Sequence, residues 1–193
     1  MATQQDLPIV VVPDQGAWRE WLEENHASIP GVWLKLAKKS SPTKTVTYGE
    51  AVEEALCYGW IDGQVRRYDE HFYVQRFTPR RPRSKWSQIN REKVERLIAA
   101  GRMKPSGQAQ VEAAKADGRW DAAYPAGSTA TVPEDFQREL DKHPQAKAFF
   151  ATLKGTARYA FLYRLHHVTA PDARAKRIAN YIELLSEGKT LQD

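Results

Sequence analysis

Residues 47–77, "TYGEAVEEALCYGWIDGQVRRYDEHFYVQRF", contain a helix signal followed by a hairpin signal. Thr47 and Glu50 have the spacing of a capping box, which marks the start of a helix. The apolar residues that follow at helical spacing are Val52, Ala55, Leu56, Gly59 and Trp60. Gly63 is predicted to end this helix, and residues 64–77 then have the pattern of two strands joined by a polar turn. A helix followed by a hairpin favours an α+β fold.

Patterns on both sides of this stretch extend the prediction. Residues 9–12 and 31–39 are predicted strands, and the second, "GVWLKLAKK", places Val32, Leu34 and Leu36 on one buried face. Residues 15–24 have helical spacing of apolar side chains. Together with the hairpin, these elements predict a small, mostly antiparallel sheet of three or four strands packed with helices.

Two further helices are predicted after the hairpin. Residues 87–101 have Ser87 as a candidate N-cap, Gly101 as a candidate C-terminal residue, and Val94, Leu97 and Ile98 as the inward face. A weaker helical pattern follows over residues 107–117.

The domain organisation is predicted from one linker. Residues 125–133, "PAGSTATVP", consist of small residues, proline and glycine, whereas the chain that follows has only helical patterns. We therefore expect an α+β domain over residues 1–124 and an all-helical C-terminal unit over residues 134–193 that packs on the first.

The composition limits the class of protein. The apolar runs are too short for a membrane span. Cys57 is the single cysteine, which excludes an intrachain disulfide framework, and the five histidines lack ligand-like spacing. We expect a cytoplasmic protein without a metal site or a cofactor.

The positive charge is concentrated in the middle of the chain. The whole chain has a net charge of +5, yet residues 64–104 alone contain twelve Lys or Arg against four Asp or Glu. Within residues 76–90, "RFTPRRPRSKWSQIN", the basic residues are Arg76, Arg80, Arg81, Arg83 and Lys85. Pro79 and Pro82 favour an extended backbone that projects these side chains. Arginine binds carboxylate and phosphate in a bidentate manner, so the segment predicts an anion-binding surface.

Neighbouring residues complete the candidate ligand site. Trp86 offers a stacking face, and the helix that begins near Ser87 offers backbone N–H donors to an anion. The full set of predicted ligand-binding residues is Trp60, Arg66, Arg76, Arg80, Arg81, Arg83, Lys85, Trp86, Ser87 and Asn90. The alternative interpretation is structural, with these arginines paired to Asp62, Asp69 and Glu70.

Three functional hypotheses remain open. The first is binding of an anionic partner, either a small phosphorylated or carboxylated molecule or a nucleic acid. The second is an enzyme that acts on a small anionic substrate, with Asp62 as its acid or base. The third is a protein–protein adaptor that uses the C-terminal helices.

Several motifs resemble a known family. "EALCYGWIDG", "QRFTPRRPRSKWSQIN", "VERLIAAGRM" and the C-terminal "ARAKRIANYIELLSEGK" are similar to the bacteriocin-protection, YdeI/OmpD-associated proteins of bacteria, over about residues 18–189. The resemblance implies a bacterial protein with a link to envelope or antimicrobial-peptide stress. It carries over no catalytic residue.

Overall fold

The computed structural model describes residues 7–192 and divides into two compact units, one up to Ala123 and one from Tyr124 onward. The first unit contains a four-stranded sheet with helices, and the second is helical. The predicted α+β fold class is confirmed. The predicted linker, residues 125–133, lies at the start of the second unit.

The elements follow in chain order. The strands are β1 (Ile9–Val10), β2 (Val32–Ala37), β3 (Trp60–Arg67) and β4 (Phe72–Pro79). The helices of the first unit are α1 (Gln15–Asn25), α2 (Tyr48–Cys57), α3 (Gln88–Ala99) and α4 (Pro105–Ala116). Those of the second unit are α5 (Glu134–Lys142), α6 (Pro144–Thr152), α7 (Gly155–His166) and α8 (Pro171–Ser186). Within residues 7–192, every helix is too short or too polar to cross a membrane.

The sheet has the order β1-β2-β4-β3. β1 runs parallel to β2, whereas the other two pairs are antiparallel, and β3 with β4 forms the predicted hairpin. The alternation predicted for β2 is confirmed, because Val32, Leu34 and Leu36 are all buried in the core. The opposite face of β2 is more buried than the alternating pattern predicts, since Trp33 on that face is only 3% exposed.

The predicted end of α2 is wrong. The capping box of Thr47 and Glu50 is present, but the helix ends at Cys57 instead of at Gly63. Gly59 has a φ of 75°, a left-handed backbone that glycine adopts without strain, and Trp60 already begins β3. Of the two residues predicted to end the helical stripe, Gly59 therefore lies in the turn and Trp60 is the first residue of the hairpin.

Helix α3 agrees with its sequence signals at both ends. Ser87 accepts a hydrogen bond from the Asn90 N–H, and Gly101 follows the helix with a φ of 64°. Val94 and Leu97 are buried, but Ile98 is 39% exposed, so its predicted inward orientation is wrong.

The helices of the first unit cover one face of the sheet. Trp18 of α1, Leu34 of β2 and Phe77 of β4 are completely buried in this core. Each such side chain contributes about 1.5–3 kcal/mol through burial alone. Phe77 anchors the hairpin in this core, and the candidate site lies at one end of the hairpin.

The second unit has its own aromatic core. The rings of Phe136, Phe150, Phe161 and Tyr181 pack edge to face. Arg174 on α8 joins three elements, because its guanidinium binds Asp135 on α5 and donates to the carbonyls of Leu165 and Val168 at the end of α7. Leu165 is in the last turn of α7, where carbonyls lack intrahelical partners, and Val168 follows the helix.

Candidate functional site

A polar groove lies where β3 begins and β4 ends. We call it the hairpin groove; it has a volume of about 320 Å³. Its lining residues are Leu7, Pro30, Ile61, Asp62, Gly63, Arg76, Thr78, Pro79, Arg81 and Ser84. Three of the predicted site residues, Asp62, Arg76 and Arg81, therefore share one groove.

Arg76 is the most enclosed cation of the groove. It lies on β4, and its guanidinium rests so close to Gly63 that a Cβ atom added to this glycine would lie 3.1 Å from Nε. The Nε atom is shielded from solvent, and no atom of residues 7–192 accepts a hydrogen bond from it. A buried donor without a partner costs about 1–3 kcal/mol. The rest of the Arg76 side chain lines the groove.

Arg81 is exposed but its backbone is fixed by a turn. The Ser84 N–H donates to the Arg81 carbonyl at 2.9 Å, and the Arg81 N–H donates to the Ser84 hydroxyl at 2.9 Å. Pro82 occupies the second position of this turn, where proline is favoured. The basic segment is thus a turn here, not extended throughout, and the turn places Arg81 beside the end of β4.

Asp62 lies on the other strand of the hairpin. It is partly buried, and its Oδ2 atom accepts a hydrogen bond from the Tyr48 hydroxyl at 2.8 Å. The sheet register is irregular between Asp62 and Val65, and the Gln75 side chain holds this bulge by donating to the Gly63 carbonyl at 2.8 Å. The bulge brings Gly63 under the Arg76 guanidinium.

The ion pairs of the described chain lie away from this groove. Within residues 7–192, no carboxylate oxygen lies within 4 Å of a side-chain nitrogen of Arg66, Arg76 or Arg81. Asp69 instead accepts from the backbone of the hairpin turn. Glu70 contacts the His71 ring at 3.5 Å. For Arg66, Arg76 and Arg81, the structural alternative, in which Asp62, Asp69 and Glu70 hold the arginines, does not describe the observed contacts.

Three predicted ligand-binding residues are buried in the first unit. Arg80 is 5% exposed; its guanidinium lies 3.5 Å from the centre of the Trp86 ring and donates to the Lys85 carbonyl. The Trp86 ring also packs on Trp120, so it offers no open face for stacking on a ligand. Trp60 is 1% exposed, and its indole N–H bonds to a backbone carbonyl of the α1 end. These side chains support the site from within the core.

The remaining predicted residues lie outside the groove lining. Arg66 covers the Trp33 ring at 4.4 Å, and Arg83 and Lys85 are exposed near the turn. Ser87 and Asn90 bond to each other at the start of α3. Their roles in ligand binding stay predictions.

The groove also contains residues whose roles the sequence did not reveal. The pattern predicts Gly63 as a helix end, whereas its lack of a side chain makes room for the Arg76 guanidinium. Ser84 fixes the turn that holds Arg81. The "PRS" that follows Arg81 is a recognisable turn signal and would have indicated the second of these roles.

The single thiol does not take part in this site. Burial, and then the nearby charge of Glu54, raise the pKa of Cys57 to about 11. A thiol with this pKa stays protonated near neutral pH and is a poor nucleophile. Among residues 7–192, no group of three or more His, Cys, Asp and Glu side chains is arranged to hold a metal ion.

The second unit has a larger groove of about 650 Å³ between α5 and α8. Its floor is the apolar face of α8, formed by Ala175, Ile178, Ala179 and Ile182. The guanidinium of Arg174 at its edge is already paired with Asp135. This groove is a surface for the adaptor hypothesis, and its lining also includes Arg138, Glu139, His143 and Glu183.

The comparisons with known proteins match the two parts of the chain separately. Residues 10–110 match the family model described as Domain of unknown function (DUF8412). Residues 129–188 match the family model described as Bacteriocin-protection, YdeI or OmpD-Associated, which confirms the resemblance inferred from the sequence. The hairpin groove lies in the first of these regions, apart from Leu7. No curated protein and no solved structure matches the chain.

Proposed function

We propose that this chain, which belongs to the family described as Domain of unknown function (DUF8412), binds a small ligand bearing a carboxylate or phosphate in the hairpin groove. Its C-terminal region is of the bacteriocin-protection, YdeI/OmpD-associated type. The observation that carries this proposal is that Arg76 lines the groove while no carboxylate oxygen of residues 7–192 lies within 4 Å of its side-chain nitrogens. Arg81 adds a second positive charge to the same groove. Two guanidinium groups match the geometry of a carboxylate or a phosphate.

The aromatic residues of β2 and of the hairpin turn favour a small anion over a nucleic acid. A single strand binds through bases that stack on open aromatic faces. Here Arg66 lies over the Trp33 ring, and Lys35 lies over the rings of Tyr68 and Phe72 at 4.2 and 4.3 Å. Bases would have to displace these cations before they could stack.

Removal of the Arg76 guanidinium should weaken anion binding strongly. A hydrogen bond to a charged group contributes about 1.5–3 kcal/mol, so we expect Arg76→Ala to reduce affinity about 10- to 100-fold. Thermal shift and calorimetry with inorganic phosphate, pyrophosphate and citrate measure this affinity. Wild-type protein should be stabilised in a saturable manner, by about 2.7 kcal/mol when the ligand is at 100 times its dissociation constant.

The matched control is Arg96→Ala. Arg96 is exposed on α3, outside the groove, and its removal changes the net charge by the same amount. Equal losses in the two variants would show a diffuse charge effect and contradict the proposed site. A thermal shift that does not saturate with the small anions would also contradict the proposed site. So would binding that is seen only with nucleic acid and whose affinity falls log-linearly with salt concentration.

Gly63→Ala should weaken the same binding while it keeps both charges. The new Cβ atom would lie 3.1 and 3.2 Å from two nitrogens of Arg76, so the guanidinium must shift. Because the side chain is flexible, we expect unfolding free energy to change by less than about 1 kcal/mol. We expect a severalfold loss of anion affinity, measured by the same titrations. Unchanged affinity would indicate that the position of Arg76 over Gly63 is unimportant.

A further inference from the structure

Opposite charges line the hairpin groove without contacting each other. Arg76 and Arg81 contribute positive charge, and Asp62 contributes a carboxylate. Within residues 7–192, neither arginine has a carboxylate oxygen within 4 Å, and the Asp62 side chain is held by the Tyr48 hydroxyl instead. From this separation we infer that the ligand is a small zwitterion of the α-amino-acid type, an inference that rests on the proposed function of the groove.

A zwitterion satisfies both kinds of charge at once. Its carboxylate would accept hydrogen bonds from Arg76 and Arg81, while its ammonium group would donate to Asp62. An ionised carboxylate has about four acceptor positions, so the bond from Tyr48 leaves Asp62 with capacity for a further donor. A ligand with only a negative charge would gain from the arginines but would be repelled by Asp62.

The size and walls of the groove agree with this class of ligand. Its volume of about 320 Å³ is at the lower end of the range for small-molecule sites. Leu7, Pro30, Ile61 and Pro79 form an apolar part of the lining, which can accept a short aliphatic side chain. The groove therefore combines two charged ends with a small apolar wall.

The test compares each amino acid with its deaminated acid. The probes are leucine, glutamate, phenylalanine and glycine, each paired with the carboxylic acid that lacks the α-amino group, in titrations followed by calorimetry. In the wild type, at least one amino acid should bind about tenfold or more tightly than its acid. The inference is overturned if no amino acid in the panel binds more tightly than its acid.

Asp62→Asn provides the internal control. We expect this variant to lose affinity for the amino acid about tenfold but to bind the simple acid as well as the wild type or better, because the repulsion is removed. If the substitution merely damaged the groove, the variant would lose affinity for both the amino acid and the simple acid. Asp121→Asn, at an exposed position outside the groove, should change neither affinity.

The two proposals can fail separately. If the acids bind and Arg76→Ala abolishes their binding, but Asp62→Asn has no effect on the amino acids, the groove binds anions and the zwitterion inference is wrong. If neither acids nor amino acids bind in an Arg76-dependent manner, the proposed function itself is wrong.

Discussion

The Gly107→Ala variant is expected to unfold with a free energy about 3 kcal/mol lower than that of the wild type, although alanine is the better helix former. A Cβ atom at Gly107 would lie 2.1 Å from the Cys57 carbonyl oxygen and 2.7 Å from its carbon. Both are backbone atoms, so no side chain can rotate away. Helix α4 would have to move away from the end of α2 to admit one methyl group.

The site of this contact explains why the expected effect is large. The Cys57 carbonyl also accepts the Lys104 N–H at 3.0 Å, and Gly59 approaches the Ser106 carbonyl so closely that a Cβ there would lie 2.8 Å from its oxygen. The turn into the hairpin therefore packs directly on the start of α4. Displacement of α4 would disturb the same turn that leads to Asp62.

Gly49→Ala is the matched control for Gly107→Ala. Gly49 is in α2, and a Cβ atom added there would meet no other part of residues 7–192 within 4 Å. We expect this variant to be more stable than the wild type by about 0.5–1 kcal/mol. All six tryptophans lie in the first unit, so urea unfolding followed by tryptophan fluorescence reports on that unit. Equal unfolding free energies of the two variants would show that the close contact at Gly107 leaves no room-dependent effect on stability.

Local signals in the sequence were sufficient to predict most elements of the first unit. The capping box of Thr47 and Glu50, the Ser87 cap and the alternation in β2 all act within a few residues, and each is present in the structure. The error at the end of α2 arose because two nearby glycines were both suitable as a helix end. The choice of Gly59 depends on its close approach to α4, a contact between residues about fifty positions apart.

Only part of the candidate site could be predicted from the sequence, because the rest also depends on contacts between distant residues. Charge composition shows that residues 76–90 are basic, and it directs attention to the segment from which Arg76 and Arg81 line the hairpin groove. It does not distinguish Arg80, which lies buried on Trp86, from Arg81, which a turn holds in the groove. Burial of a guanidinium depends on a partner surface, and the pairing of Trp86 with Trp120 that builds this surface joins distant parts of the chain.

The second large effect is expected for Glu54→Gln, which should lower the unfolding free energy by about 2–3 kcal/mol. Glu54 is only 1% exposed and is held by Gln15 at 2.7 Å, by two nitrogens of Arg19, and by Arg102. These contacts join α1, α2 and the segment after α3. A glutamine keeps the shape but leaves two arginines without their buried counter-charge. The loss is limited because Arg19 is half exposed and regains water.

The same carboxylate gives the stability a defined pH dependence. Burial by itself would raise the pKa of Glu54, but the hydrogen bond from Arg19 and the charge of Arg102 outweigh it and hold the pKa below its ordinary value of 4.5. Because the folded-state pKa is the lower one, the ionised side chain stabilises the fold above about pH 4.5. This contribution is lost as the pH falls through the folded-state pKa.

Urea unfolding of the wild type and Glu54→Gln between pH 3 and pH 7 tests both statements. The difference between the two proteins should be largest near neutral pH and should narrow on acidification, because glutamine does not titrate. The neighbouring Glu53→Gln is the control: Glu53 is 30% exposed and contacts Lys93 and Arg102 only at 3.8 and 3.6 Å. Its removal should cost at most about 1 kcal/mol. Equal losses at the two positions would show that the buried network around Glu54 contributes no more than surface charges do.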